Sequence, residues 1–369
     1  MKACYLCDEP FTEENMSKEH ILLNAIGGHL KPKDLLCKPC NSKLGETADA
    51  ELAKQLSFLS SFLQIKRDNG ENQTIKGGQT KDGTKYNLIE GSKPIPANPI
   101  FERTEVDGNV NISVTARSEA EMVNMLKGLK KEFPQLDMEN IKKHFQYKEE
   151  YLEEPLSFRT TIGGELAFRS LVKTAVNFYV YSIREKEAVK HLFNYLKGLE
   201  ELKICKHHHS KKAVYKKEAG EVVHLLHLMG KKRERTLFCY IELFSTYSFI
   251  VLLSDNYDGK NIEETYCYNV LTAKEVKKSV KIKYSKAEFD SLTGFNNAEF
   301  KAVREKLGRV MDIGNKIHTQ NEISRISSKA VDSVFNRHKG EPVFTPQMAE
   351  ELSKEVAEAY VKFAHRKRK

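Results

Sequence analysis

The 369-residue chain contains no tryptophan, so its aromatic packing rests on 15 Tyr and 19 Phe. It has no long apolar run: stretches such as Phe249 to Leu253 fall far short of the ~20 residues that span a bilayer. The opening MKACYLCDEP places no apolar segment behind its single Lys, unlike a secretory signal. No terminal lipidation signal is visible either. These absences lead to the expectation of a soluble, cytoplasmic protein with reduced thiols and no membrane partner. The cysteines number seven, an odd count spread over a long chain, which excludes a disulfide-stapled miniprotein. There is no phosphate-binding P-loop, dinucleotide glycine pattern or fixed-period repeat. What is present is 40% hydrophobic and 30% charged residues, enough apolar material to exclude global disorder. The length favours two domains over one. The net charge of +9 is compatible with a polyanionic partner without establishing one.

Four of the seven cysteines form two C-x-x-C pairs, Cys4–Cys7 and Cys37–Cys40. Each pair can chelate one ion from a tight turn, and together they complete the tetrahedral thiolate shell of a structural zinc. The competing reading is a redox pair, which would sit at a helix start in a thioredoxin-like βαβ pattern that is absent here. A four-thiolate shell leaves no open position for catalysis, so this zinc is read as structural and as the staple of a segment with little core of its own. Cys205, Cys239 and Cys267 are scattered singly.

Between the knuckles, Glu19 and His20 are adjacent at the start of an apolar stretch suited to a strand, and Gly27-Gly28 marks a turn. Asn41 follows the second knuckle, where a helix is expected to begin. If one zinc joins both knuckles, a carboxylate, an imidazole and an amide oxygen converge on one pocket. Phosphodiester hydrolysis needs such a set. A near-neutral His takes a proton from water, and a hard cation on a few oxygen ligands offsets the charge that builds up. Mg²⁺ often uses one or two protein ligands and keeps waters.

The paired C-x-x-C, Glu19-His20, Gly27-Gly28, the approach Asp34-Leu35-Leu36 and Cys40-Asn41 resemble the HNH endonuclease family, the ββα-metal nucleases, in its zinc-knuckle subgroup. The resemblance implies His20 as general base, with Glu19 and Asn41 binding a catalytic Mg²⁺ or Mn²⁺. It places the loop-propping middle Asn of the motif at Asp34, a departure from pattern, and Leu23 stands where many members carry Pro. By the same analogy the products carry a 5′-phosphate and a 3′-hydroxyl, and the setting is restriction or anti-phage defence. Two other classes stay open. One is a zinc-finger nucleic-acid-binding module without turnover, the other an effector nuclease switched by a small ligand or modified base. Partners expected are DNA, with RNA not excluded, and a second copy of the chain in a homo-oligomer.

Beyond the knuckles, Leu52, Leu56, Leu59 and Leu63 repeat at helical spacing. Residues 68–100 are rich in Gly, Asn, Lys and Pro and read as a linker with short hairpins, dividing a 1–67 nuclease domain from a 101–369 targeting or assembly domain. In the latter, a hairpin turns at Asp107-Gly108, and helices are expected over 118–133, 137–148, 164–184 and 185–202. Strands follow over 220–230, 235–245, 247–254 and 264–283, then helices over 286–292, 296–315, 319–336 and 345–366. The fold class is α+β: a small zinc-bound ββα-metal finger plus a larger α+β domain with an antiparallel sheet and C-terminal helices. Basic charge clusters at 203–217, 231–235, 274–286 and 362–369, over an otherwise acidic chain. Lys206, Lys211 and Lys212 before a strand, and Lys31, Lys33, Lys38 and Lys43 beside the knuckles, are the candidates for phosphate contact.

Overall fold

The computed structural model describes residues 2–68, 74–89, 93–106, 109–146, 151–208, 213–292 and 297–366. They form two compact units: Met1–Lys54 with Ile65–Asp68 and Gly163–Lys369, and Gln55–Gln64 with Asn69–Ile162.

In the finger, α1 (Lys38–Leu44) starts at Cys37 with Pro39 in its first turn, where the missing N–H costs nothing. A π-helical turn, Gly45–Asp49, leads into α2 (Ala50–Phe62). Leu52, Leu56, Leu59 and Leu63 are all buried, as their spacing predicts. The Glu19-His20 stretch differs from the strand expected: it joins no β-ladder. Two backbone bonds, Glu19 N–H to Pro32 O at 3.0 Å and Ile21 N–H to Leu30 O at 2.9 Å, hold it as a hairpin-like loop instead. Gly27 (φ +86°) ends the 3-10 turn Asn24–Ile26, and a Cβ on Gly28 would stand 1.8 Å from the Leu22 carbonyl oxygen. Gly27 is thus favoured by its left-handed φ, and Gly28 is demanded by close backbone approach.

The second unit carries an antiparallel meander, β1 (Ile75–Gln79), β2 (Lys85–Ile89) and β3 (Lys93–Pro96). A separate hairpin pairs β4 (Ile100–Val106) with β5 (Asn109–Thr115), its ladder running down to Val106 opposite Asn109. The Asp107-Gly108 turn itself lies outside the described residues. Helix α3 (Glu119–Glu132) is capped by the Ser118 hydroxyl, which accepts from Glu121 N–H. Helix α4 (Met138–Lys143), capped by Asp137, is shorter than the 137–148 expected, and 147–148 lie outside the described residues.

The first unit resumes with α5 (Glu165–Ile183), a 3-10 turn Glu187–Leu192 and the short α6 (Phe193–Lys197), in place of one helix over 185–202. Gly198, at φ +76°, stops α6. The strands β6 (Cys205–His207), β7 (Val223–Lys231), β8 (Thr236–Leu243), β9 (Tyr247–Ser254), β10 (Ile262–Asn269) and β11 (Lys274–Glu275) form one sheet of order β11-β10-β7-β8-β9-β6. All its pairings are antiparallel. The strand expected over 264–283 is cut short because β10 turns back at Asn269 onto the two-residue β11.

β8 and β9 are buried at every position, which a sheet tolerates only when both faces are covered. Helix α5 covers one face. On the other, Leu225, Phe238, Tyr240 and Ile250 pack with Tyr215, Tyr284 and Phe289. Helix α7 (Lys286–Ser291) begins in a Ser285–Glu288 capping box. Helix α8 (Asn297–Arg337) is continuous where two helices were expected, and α9 (Pro346–Arg366) folds back along it through Arg337–Glu351 and Ser333–Glu355. The polar stretch near 315–319 is no helix stop: the Thr319 hydroxyl returns to the Asn315 carbonyl at 2.7 Å. No helix among the described residues is long and apolar enough to cross a membrane.

Candidate active site

The first knuckle closes through Asp8 in the left-handed region (φ 63°), with Cys4 N–H to Glu9 O at 2.9 Å. Tyr5 N–H to Leu35 O at 3.0 Å brings the second knuckle alongside. The sulfurs of Cys4, Cys7, Cys37 and Cys40 all lie within 4.8 Å of one another, and Cys7 and Cys37 Sγ are 3.6 Å apart. Four sulfurs on a tetrahedral zinc with bonds of ~2.3 Å would stand ~3.8 Å apart, so the cluster fits that ion. Burial pushes the Cys4 thiol up, and burial together with repulsion from Cys4 does the same to Cys40. Four thiolates coexist there only around a cation. Cys205, Cys239 and Cys267 are buried thiols.

Glu19 is 3% exposed and ion-paired across the unit. Its Oε1 lies 2.5 Å from Lys173 Nζ and accepts from the Asn177 amide at 3.0 Å, both on α5. Lys173 also reaches Asp49 Oδ2 at 2.5 Å, and the Ser170 hydroxyl donates to Asp49 Oδ1 at 2.6 Å. A buried carboxylate, Glu19, and a half-buried one, Asp49, thus share one ammonium. Burial first, then repulsion from Asp49, raises Glu19 to about 7 against the opposing pull of Lys173. Lys173 stays charged: its two carboxylates outweigh its own burial. Glu19 Oε2 accepts no hydrogen bond among the described residues.

His20 meets a carboxylate that the sequence did not single out. Its Nε2 lies 3.2 Å from Asp68 Oδ2, while His29 Nδ1 lies 2.8 Å from Asp68 Oδ1 and Lys31 Nζ bonds to Asp68 Oδ2. The Asp68 N–H is fixed on Asn24 Oδ1 at 2.9 Å. Hydrogen bonds from Lys31 and His20 hold Asp68 down at about 2, so it is an acceptor only. His20 therefore carries its proton on Nε2, and the neutral ring leaves Nδ1 as a base. Burial lowers the His20 pKa below the ordinary histidine value, with Asp68 opposing. His29 is thus a second imidazole partner of Asp68. Its Nε2 and the hydroxyl of Tyr268, whose ring centroid is 5.1 Å away, are buried without partners among the described residues.

Asn41 stands in α1, half-buried, with its backbone N–H on Cys37 O at 2.9 Å and its side-chain amide unbonded among the described residues. Asp34 pairs with Arg184 at 2.8 Å, and the carboxylate on His20 is that of Asp68. Lys33, Lys38 and Lys43 are exposed, whereas Lys31 is tied to Asp68. Lys206 turns inward. Its ammonium takes the Phe289 carbonyl at 2.9 Å and lies 4.6 Å from the centre of the Phe289 ring. Lys211 and Lys212 lie outside the described residues. His224 is a buried bridge between sheet and finger, accepting Phe244 N–H at Nδ1 and meeting Ile26 O through Nε2 at 2.9 Å.

No curated protein and no solved structure matches the chain. Residues 4–57 match the model of the HNH endonuclease family, and the four-cysteine cluster they carry fits its zinc-knuckle subgroup.

Proposed function

We propose that the protein is a divalent-metal-dependent DNA endonuclease in which His20 is the general base and Glu19 and Asn41 hold the ion. The observation that carries this reading is the His20–Asp68 pair, set next to a buried carboxylate with an open Oε2, inside the segment similar to HNH endonucleases. Glu19 Oε2 and the unbonded Asn41 amide are hard oxygen donors of the kind Mg²⁺ or Mn²⁺ takes. Two carboxylates against one ammonium also leave a negative charge that a cation would balance.

Asp68 fixes the His20 ring with Nδ1 unprotonated. A water oxygen bonds to phosphorus, its proton passes to Nδ1, and the P–O3′ bond breaks in line. The 3′ oxygen then takes a proton from solvent water, leaving a 3′-hydroxyl and a 5′-phosphate. A bound divalent ion supplies the positive field against charge on the phosphate and the leaving oxygen. Exposed Lys33, Lys38 and Lys43 are available to backbone phosphates, contacts that position DNA without reading its sequence.

The test is cleavage of plasmid, linear DNA and RNA with Mg²⁺, comparing wild type with His20→Ala. The substitution is expected to lower turnover about 10²–10⁴-fold, with zinc retained at one ion per chain. Equal cleavage by the two proteins removes His20 from the mechanism. Asp68→Asn keeps the shape but loses the acceptor-only partner. Turnover should fall about 10²-fold, less than the ~10⁴ seen when a buried triad carboxylate is replaced, with substrate KM near wild type. A KM effect alone would make Asp68 a binding residue.

A further inference from the structure

The carboxylate of Glu19 is not held by the finger alone. Ser170, Lys173 and Asn177 recur at spacings of three and four, which puts them on one stripe of α5. None is more than 2% exposed. Burying such a polar stripe is costly compared with an apolar one, so its partners matter. Those partners are specific, atom by atom. Lys173 and Asn177 both reach Glu19 Oε1, at 2.5 and 3.0 Å. The Asn177 carbonyl in turn accepts the hydroxyl of Tyr5 at 2.7 Å. Tyr5 lies between Cys4 and Cys7, so the first knuckle, α5 and Glu19 form one bonded chain. Every donor lands on Oε1, and none of the described residues donates to Oε2.

Resting on the reading of Glu19 as an ion ligand, we propose that Tyr5, Lys173 and Asn177 are positioning residues: they pin Glu19 through Oε1 and thereby present Oε2 to the divalent ion. Helix α5, more than a hundred residues beyond the segment that resembles a nuclease, then completes a site whose ligands all lie in the finger. Hydrogen bonds behind a ligating carboxylate set its orientation, and their loss typically lowers metal affinity about 10–100-fold.

The experiment titrates Mn²⁺ into the full-length, zinc-loaded protein and reads free Mn²⁺ by electron paramagnetic resonance. The variant is Tyr5→Phe with Asn177→Leu, which removes the amide on Oε1 together with the hydroxyl that would lose its partner. Lys173 is kept, so no buried charge is stranded. The Mn²⁺ Kd is expected to rise about 10–100-fold, with zinc at one ion per chain and an unchanged circular dichroism spectrum. Cleavage at saturating Mn²⁺ should stay close to wild type, the half-saturating concentration moving by the same factor. A Kd within about twofold of wild type, while Glu19→Gln abolishes binding, overturns the positioning role and leaves the nuclease reading standing. Unchanged Mn²⁺ binding in Glu19→Gln removes the ligand assignment and this proposal with it. Should the double variant fail to fold, Tyr5→Phe alone keeps the volume and is expected to shift the Kd in the same direction. No shift there counts against the proposal equally.

Discussion

Removing zinc from the Cys4–Cys7–Cys37–Cys40 cluster is expected to unfold the finger while the six-stranded sheet survives. Among the described residues the finger has one short helix before the π turn and only isolated bridges, Ala3–Pro10 and Met16–Cys37, in place of a ladder. Its backbone is therefore held chiefly by the sulfur cluster and by loop hydrogen bonds such as Tyr5 N–H to Leu35 O. Structural zinc on such a shell is worth about 10–16 kcal/mol near neutral pH, as large as the whole stability of a typical domain. Because burial holds Cys4 and Cys40 protonated without the ion, zinc binding must expel protons, and zinc should be lost as pH falls. Hydrogen exchange on the chelated protein, or on Cys37→Ser, checks this. Amides of 19–28 and 35–44 should lose protection while those of β7, β8 and β9 keep theirs. Protection retained in both regions would show that the finger stands on its apolar contacts alone.

Lys173→Met is expected to destabilise the first unit by about 3–5 kcal/mol, because it leaves the buried Glu19 beside the half-buried Asp49 with no counter-charge. Glu19 is 3% exposed and the Asp49 side chain 13%, so solvent screens the repulsion little. Replacing the whole set, Lys173→Met with Glu19→Gln and Asp49→Asn, should recover most of the loss, since a neutral cluster carries no such penalty. Denaturant unfolding monitored by circular dichroism reads both variants. A loss below about 1 kcal/mol for the single variant would mean that the pair behaves as a surface ion pair. A pH signature accompanies the network. Glu19 sits at about 7 when folded and in the ordinary carboxyl range when unfolded, so the folded state holds the extra proton. Metal-free protein should therefore lose stability as pH rises from the ordinary carboxyl range through 7. Mn²⁺ should reverse that loss by supplying the missing positive charge.

Much of the local structure follows from pattern. Leu52, Leu56, Leu59 and Leu63 turn inward as their spacing requires, and Phe249 to Leu253 is a central strand because a short, wholly apolar run needs cover on both faces. The two C-x-x-C pairs announce their cluster because chelation imposes a spacing on neighbours in the chain. The polar side of the site has no such period. Asp68 meets His20 across 48 residues and Asn177 meets Glu19 across 158, and nothing in either residue's surroundings sets it apart. One signal was present for α5: Ser170, Lys173, Thr174 and Asn177 interrupt a helix apolar nearly all round, and polar residues at helical spacing there must find buried partners. Charge runs are the converse case. The basic cluster that includes Lys206 has the composition of a phosphate-binding loop, yet Lys206 spends its ammonium on the carbonyls that end α7.

The amino-acid sequence by itself determined the four-cysteine frame, the glycine turn, most of the helices and strands, and the residue types of the candidate site. Only the tertiary structure decided which carboxylate orients His20, which oxygen of Glu19 is left open, and that α5 supplies the buried cation between Glu19 and Asp49. The division has a physical cause: period and chelate spacing act within a few residues, whereas a charge taken out of water must be answered by whatever partner the fold brings within reach.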